Sequence, residues 1–175
     1  MAQRNSKLLD MLTGYAAAHQ HPFNIFVHLL GIPLIMFGAL IAFSWLGLDV
    51  GGFRITLAHL LLLAFFMFYM TLDTLFALVF LFFGALLTYV AVQMGTWPIA
   101  QSATIAAACF FGGYAAQFVG HAVERSMPVL VKHPVQANLA APFFTVVEVF
   151  KLLGLRDELF NAVQQRIAEQ RKEPA

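Results

Sequence analysis

Formal charges are almost missing from the middle of this chain. Between Val27 and Gly120 only Asp49, Arg54 and Asp73 carry one. The whole chain is 61% hydrophobic and 11% charged, whereas soluble domains have about 45–50% apolar and about 25% charged residues. A helix needs about 20 residues to cross a bilayer, so this stretch is long enough for about four crossings. The sequence therefore predicts an integral membrane protein.

Turn signals divide the apolar stretch into four predicted spans, which cover approximately residues 23–45, 55–70, 75–92 and 99–120. An amphipathic helix over the first 20 residues and another over 142–153 are predicted to lie in the membrane interface. We therefore expect an all-α fold, an integral membrane four-helix bundle with N-terminal and C-terminal interfacial helices, that forms a single domain over residues 1–175.

Small residues indicate where the spans pack closely. Gly31 and Gly38 lie in the first span, and Gly112, Ala116 and Gly120 recur every four residues in the fourth. Such small side chains let two helix backbones approach each other in a membrane.

The positions of Lys and Arg predict the orientation. With four spans both ends lie on one side, which carries Arg4, Lys7, Arg125 and Lys132, whereas the other side carries only Arg54. Because short cytoplasmic segments are enriched in Lys and Arg, both termini are predicted to be cytoplasmic. We expect the membrane to be either a bacterial inner membrane or the endoplasmic reticulum.

Several classes of protein and site are disfavoured. The first apolar run begins late and is too long for a signal peptide. The lone Cys109 excludes an internal disulfide and reads as a small buried hydrophobe. No clustered basic face or binding motif points to nucleic acid.

Three of the six histidines fall within ten residues at the start of the first span. Pro22 fits the first turn of a helix but not its interior, so one helix should end near His19 and another begin near Pro22. Tyr15 and His19 then share one helix face, and Asn24 and His28 share another.

The topology brings a further histidine to the same end of the bundle. The first span begins, and the fourth ends, on the predicted cytoplasmic side, which places His19, His28 and His121 at one membrane level. His133 lies on that side as well, whereas His59 is expected at the opposite end as an interfacial or packing histidine. A histidine within a span is costly unless it is paired, liganded or in a wet cavity. We therefore predict a metal centre with His19, His28, His121 and His133 as candidate ligands.

Other polar residues near this end have two readings each. Asn24 and Gln117 either orient a ligand or only form hydrogen bonds. Glu124 is a candidate catalytic carboxylate or a partner of Arg125, and Glu148 is a second candidate or a partner of Lys151. His21 is either a further ligand or a solvated loop residue.

The donor set narrows the chemistry without deciding it. Imidazole suits Zn, Fe, Cu and Ni, and two or three histidines with a carboxylate and open positions suit non-haem Fe(II) oxygen chemistry. Membrane di-iron enzymes commonly use more histidines than this chain has, and the zinc-hydrolase pattern His-Glu-x-x-His is absent.

Two classes compete with an enzyme: a non-enzymatic membrane scaffold or lipid-binding protein, and a channel or transporter. The absence of charge in mid-membrane and of a clear repeat disfavours the last.

The assembled residues resemble the 2-hydroxy fatty acid dioxygenase family, small four-span membrane proteins of fatty acid α-oxidation that were formerly a domain of unknown function. The matching positions are Tyr15, His19, Pro22, Asn24, His28, Pro33, Gln117, Phe118, Val119, Gly120, His121, Pro128, Gln136, Ala141, Pro142, Phe144 and Glu148.

The resemblance implies an iron-dependent oxidoreductase that uses O2 to cleave a 2-hydroxy fatty acid between C1 and C2, leaving a fatty acid one carbon shorter. It implies Fe(II) as cofactor, and a fatty acid or other lipid substrate, O2 and the membrane as partners. Fe(II) on His19, His28 and His121 would leave open positions for the 2-hydroxy carboxylate and O2. Tyr15, Asn24 and Gln117 are expected to orient these ligands or contact substrate.

Overall fold

Eight helices and one short hairpin make up the computed structural model, which describes residues 2–170 and the side chains from residue 7 onward. The elements in chain order are α1 (Ala2–Ala16), α2 (Pro22–Ser44), β1 (Gly47–Val50), β2 (Phe53–Thr56), α3 (Leu57–Met70), α4 (Thr74–Gly95), α5 (Ile99–Glu124), α6 (Val129–Lys132), α7 (Pro134–Leu152) and α8 (Asp157–Gln170).

Three of these helices, α2, α4 and α5, are long and apolar enough to cross a membrane. The predicted helical membrane bundle is thereby confirmed. Helix α3 is apolar but has only 14 residues, or about 21 Å at 1.5 Å per residue, which is short of a hydrocarbon core of about 30 Å. A fourth candidate span would combine α7 and α8, which are bent by 115° at their junction.

The predicted second span starts too early, because residues 55 and 56 belong to a strand. Gly47–Val50 and Phe53–Thr56 pair in an antiparallel hairpin, where the sequence predicted only a turn. Gly51 and Gly52 connect the strands with φ of 59° and 84°, backbone angles that glycine adopts without steric cost. The outward side chains Leu48 and Phe53 remain 75% and 77% exposed.

Helices α2 and α5 form the closest pair and run antiparallel. A Cβ on Gly38 would lie 2.5 Å from the carbonyl oxygen of Ala106. A Cβ on Gly113 would lie 2.7 Å from the carbonyl oxygen of Gly31. These glycines therefore let the two backbones touch, as predicted for Gly31 and Gly38.

The small-residue strip predicted on α5 is only partly right. A Cβ on Gly112 would meet nothing within 4 Å, whereas one on Gly120 would lie 2.4 Å from Asn24 Oδ1. The contact face of α5 therefore includes Gly113 and Gly120 but not Gly112. A period of four drifts around a helix that has 3.6 residues per turn, which explains the error.

Helix α7 begins at Pro134, earlier than the predicted start at 142, and Pro142 lies inside it. Its residues Phe143, Phe144 and Val147 are at most 4% exposed and pack with α1 and the adjoining ends of α3 and α4. The residues that begin α4 and follow α7 are tied by an ion pair of 2.6 Å between Asp73 and Arg156. This packing covers one end of the bundle, where the predicted site lies.

Candidate metal centre

His19 lies in the connection of five residues between the end of α1 and the start of α2. His21 Nδ1 accepts a hydrogen bond of 3.2 Å from the Phe23 N–H, which caps α2, and Pro22 occupies its first turn. The exposed His21 is thus a helix cap, whereas the neighbouring His19 is only 3% exposed. The Pro-led helix start predicted from the sequence is present.

The rings of His19, His28 and His121 form a buried cluster. Their centroids are 4.3 Å apart for His19 and His28, 4.8 Å for His19 and His121, and 4.9 Å for His28 and His121. One ring nitrogen from each lies within 4.8 Å of the other two. This spacing is suitable for three ligands of one metal ion.

Hydrogen bonds occupy the Nδ1 atom of every ring in the cluster. His19 Nδ1 lies 2.7 Å from the Tyr15 carbonyl oxygen, and His28 Nδ1 lies 2.9 Å from that of Asn24. His121 Nδ1 lies 2.9 Å from the Ser126 hydroxyl. A carbonyl oxygen only accepts, so Nδ1 of His19 and His28 carries the proton and Nε2 presents a lone pair.

His19 Nε2 is buried and has no hydrogen-bond partner among the residues that the structure describes. An unsatisfied buried polar atom of this kind is costly. A metal ion bound by three Nε2 atoms would satisfy it, and Nδ1–H donation to carbonyl groups is the usual support for metal-bound histidine. The cluster therefore fits a metal.

Electrostatics favour the metal-binding form of His19, which lies before the first membrane-spanning helix. Burial and the neighbouring His28 lower the pKa of His19 to about 3, although its hydrogen bond to Tyr15 acts in the opposite direction. The ring is thus neutral at physiological pH, and no proton competes with a metal for Nε2.

Tyr15 and Phe144 fix the orientation of the His19 ring. Tyr15 stacks on it with centroids 4.2 Å apart and planes inclined by 6°. Phe144 packs against both rings, at 4.5 Å from Tyr15 and 5.6 Å from His19. Burial, with Tyr114 nearby, raises the pKa of Tyr15, so its phenol stays protonated.

Glu124 lies at the end of α5 and contacts the start of α2. Its carboxylate accepts a 2.5 Å hydrogen bond from Asn24 Nδ2 and a 2.7 Å bond from the Gln20 N–H. Asn24 is fully buried, and its backbone carbonyl orients His28. Glu124 is therefore linked to the histidine cluster through Asn24.

The remaining predicted site residues do not belong to the cluster of His19, His28 and His121. Gln117 lines the cavity beside the cluster. Glu148 is buried and accepts a 2.8 Å hydrogen bond from Lys151, the alternative weighed for it from the sequence. The exposed His133 lines a separate cavity with Lys132 and lies outside the three-histidine group. Its role as a ligand stays a prediction.

His59 belongs to the other end of the bundle. Its Nδ1 accepts a 3.1 Å hydrogen bond from the Thr56 N–H and lies 2.8 Å from the Thr56 hydroxyl, forming a capping box at the start of α3.

Two residues near the site were missed. Ser126 follows Arg125, which ends α5 with φ of 57°, and this left-handed turn brings the Ser126 hydroxyl back to His121. Tyr114 lines the cavity, and its hydroxyl donates a 3.1 Å hydrogen bond to Asn138 Oδ1. Tyr114 lies on the same face of α5 as Gln117 and His121, at spacings of three and four, so helical periodicity would have found it.

A cavity of about 420 Å³ adjoins the histidine cluster, and most of its lining is apolar. Fold and site together define a helical membrane protein with a buried three-histidine centre at one end of an apolar cavity.

The family model described as "2-hydroxy-palmitic acid dioxygenase Mpo1-like" matches residues 6–153, and the chain belongs to this Mpo1-like family. Searches of curated proteins and of solved structures found no match.

Proposed function

We propose that this protein is an Fe(II)-dependent dioxygenase of the membrane that converts 2-hydroxy fatty acids to fatty acids one carbon shorter. One observation carries the proposal: three buried histidines each place a ring nitrogen within 4.8 Å of the other two beside an apolar cavity, and Nε2 of His19 and His28 is unprotonated. The family membership supports the reaction class.

His19, His28 and His121 would hold the iron through Nε2. Bound iron would supply O2 chemistry and open positions for substrate oxygen atoms. In the balanced reaction the C1–C2 bond breaks, the 2-hydroxy acid takes up one O2, and the shorter acid, one CO2 and one water are formed. Substrate supplies all the electrons, so no further reductant is required.

The chain's own residues would orient substrate and protect the site. Tyr15, Tyr114 and Gln117 line the cavity near the histidines, where their hydroxyl and amide groups can bind the carboxylate and hydroxyl of a 2-hydroxy acid. Phe144 packs against both Tyr15 and His19 and would help to exclude water from the ring of His19. Glu124 positions Asn24 and, through it, His28.

We further propose that the histidine end of the bundle faces the cytoplasm. In a background with Cys109 replaced by Ala, a cysteine at Glu158 would react with an impermeant maleimide only in inside-out vesicles, and one at Asp49 only in right-side-out vesicles. The opposite pattern would reverse the orientation.

The reaction is tested with protein purified in detergent and loaded anaerobically with Fe(II). We expect about one iron per chain, O2 uptake with 2-hydroxypalmitic acid, and release of the acid one carbon shorter. His28→Ala should lose both iron and activity, whereas His59→Ala, at the opposite end, should keep both.

Two outcomes would contradict the proposal. Preferential binding of zinc without O2 uptake would point to other chemistry. Failure of wild-type protein to bind any metal would favour the non-enzymatic lipid-binding alternative, which the apolar cavity alone would also support.

A further inference from the structure

The cavity adjoins the histidines and extends along α2. On α2 its lining extends from His28 to Phe43, a distance of about 22 Å at 1.5 Å per residue. The cavity therefore extends along most of α2, which suits an extended hydrocarbon chain whose polar head lies at the histidines.

The lining is polar at one end and apolar along the rest of its length, with a single exception. Near the histidines it includes Tyr15, Tyr114, Gln117 and Asn138. The other walls are mainly apolar and include Leu61, Leu62 and Phe65 from α3, Phe80 and Gly84 from α4, and Phe110 from α5. This distribution matches a molecule with one polar head and one hydrocarbon chain.

The exception is Thr88, which lies on α4 two turns beyond Phe80. Gly95 near the end of α4 approaches Ser44 at the end of α2. Thr88 lies seven residues earlier, or about 10 Å, and so is about level with Ala39 in the half of the cavity remote from the histidines. Thr88 is 2% exposed, and its hydroxyl has no hydrogen-bond partner within the described part of the chain. This hydroxyl is already shielded from water, so it places an unsatisfied polar atom in the wall that a hydrocarbon chain would pass.

One side of the cavity opens toward lipid. Helix α5 packs along α2 and scarcely touches α3 or α4, which leaves a gap between α5 and the α3–α4 pair. Phe43 and Phe118 line the cavity and are 36% and 49% exposed. Leu60 and Leu63 on α3 point outward at 55% and 53% exposure, as expected for a lipid-facing surface.

We propose that this cavity binds the hydrocarbon chain of the substrate, which enters sideways from the bilayer, and that Ala39 and Thr88 set its maximum length. The identity of the polar head as a 2-hydroxy carboxylate rests on the proposed function. The head lies at the histidines, and the chain follows α2 with its methyl end near Ala39 and Thr88.

Substitutions at Ala39 and Thr88 should change the maximum chain length in opposite directions. Ala39 lines the cavity 11 residues beyond His28, about 16 Å along α2, so Ala39→Phe should block the remote part. Thr88→Val keeps the shape of the side chain and removes the unpartnered hydroxyl, so it should favour longer chains. Ala108→Phe is the control for Ala39→Phe, because Ala108 is exposed at the same level of the bundle and does not line the cavity.

The test is photolabelling of the metal-loaded protein without O2, using 2-hydroxy acids that carry a diazirine at the methyl end. A long probe should label the peptides that contain Thr88 or Phe43, and a probe about half as long should label those around Phe65 and Phe80. Ala39→Phe should reduce labelling by the long probe at least about tenfold and spare the short one. Thr88→Val should raise the ratio of long-probe to short-probe labelling, and Ala108→Phe should behave as wild type.

Because no turnover is needed, the two proposals fail separately. Labelling as predicted without any reaction on admission of O2 would keep the chain-binding cavity and overturn the dioxygenase. Turnover with labelling confined to other surfaces, and with a length preference unchanged by Ala39→Phe and Thr88→Val, would overturn the cavity and keep the dioxygenase.

Discussion

The side-chain amide of Asn24 donates a 2.5 Å hydrogen bond to the carboxylate of Glu124, a residue 100 positions later in the chain. Asn24 lies in the first turn of α2, and Glu124 is the last residue of α5. The same Asn24 accepts a hydrogen bond from His28 at its backbone carbonyl. This contact therefore ties the start of α2, which carries His28, to the end of α5, which carries His121.

Glu124→Gln should weaken metal binding by about 10–100-fold, the usual cost of losing a group that supports a ligand. A glutamine has one acceptor oxygen where Glu124 uses two, so either Gln20 or Asn24 loses its partner. Metal titration of the apoprotein measures the effect. Glu158→Gln, at an exposed position in α8, is the control.

The double variant Asn24→Ala/Glu124→Gln should bind metal only slightly more weakly than Asn24→Ala. Additive losses of affinity would mean that the two residues act independently.

Ser126→Ala should also lower the metal affinity by about 10–100-fold, because it removes the hydrogen-bond partner of His121 Nδ1. Competition with a chelator of known affinity measures the loss. Ser102→Ala is a matched control, since Ser102 is a buried α5 serine whose hydroxyl bonds to the Ile99 carbonyl. Equal affinity in wild type and Ser126→Ala would show that His121 does not need this support.

The metal-free protein should lose stability on acidification. The pKa of His19 is about 3 in the native state and about 6.5 in an unfolded chain. The unfolded state therefore binds a proton that the native state excludes, so the contribution is complete above about pH 6.5 and declines as the pH falls toward 3. The decline is at most about 1.4 kcal/mol per pH unit.

Thermal unfolding in detergent at several pH values tests this expectation. His19→Phe keeps an aromatic ring beside Tyr15 and Phe144 and should show a shallower dependence on pH. An identical slope in both proteins would mean that His19 makes no contribution.

Gly113→Val should destabilise the bundle by about 1–3 kcal/mol, because a new side chain would enter the contact between α2 and α5. The neighbouring Gly112→Val should have little effect, because a Cβ there meets nothing within 4 Å. Unfolding midpoints of the two variants in the same detergent make the comparison. Equal destabilisation would contradict the helix contact described here.

Much of the site could be predicted because its elements are encoded locally. The stretch with few charged residues predicted the membrane helices. Pro22 predicted the start of α2, which places His19 before this helix and His28 within it. Topology alone then placed His121 at the same level. His19, His28 and His121 were thus grouped from the sequence, and the structure brings these three together.

Other features were not predictable, because they depend on contacts between distant segments. The β1–β2 hairpin replaced the start of the second span, since strand pairing satisfied the backbone of residues 47–56. Ser126 met His121 only through the left-handed turn at Arg125. His133 lies on the predicted side of the bundle, yet α7 leaves it exposed and outside the histidine group.

The sequence by itself determined which segments are apolar helices and which histidines share an end of the bundle, because hydrophobicity and helix breaks act through neighbouring residues. Only the tertiary structure decided which nitrogen atoms are free, which polar groups support them and where a cavity remains. Those properties follow from how α1, α2, α5 and α7 pack, and from the gap left between α5 and the α3–α4 pair.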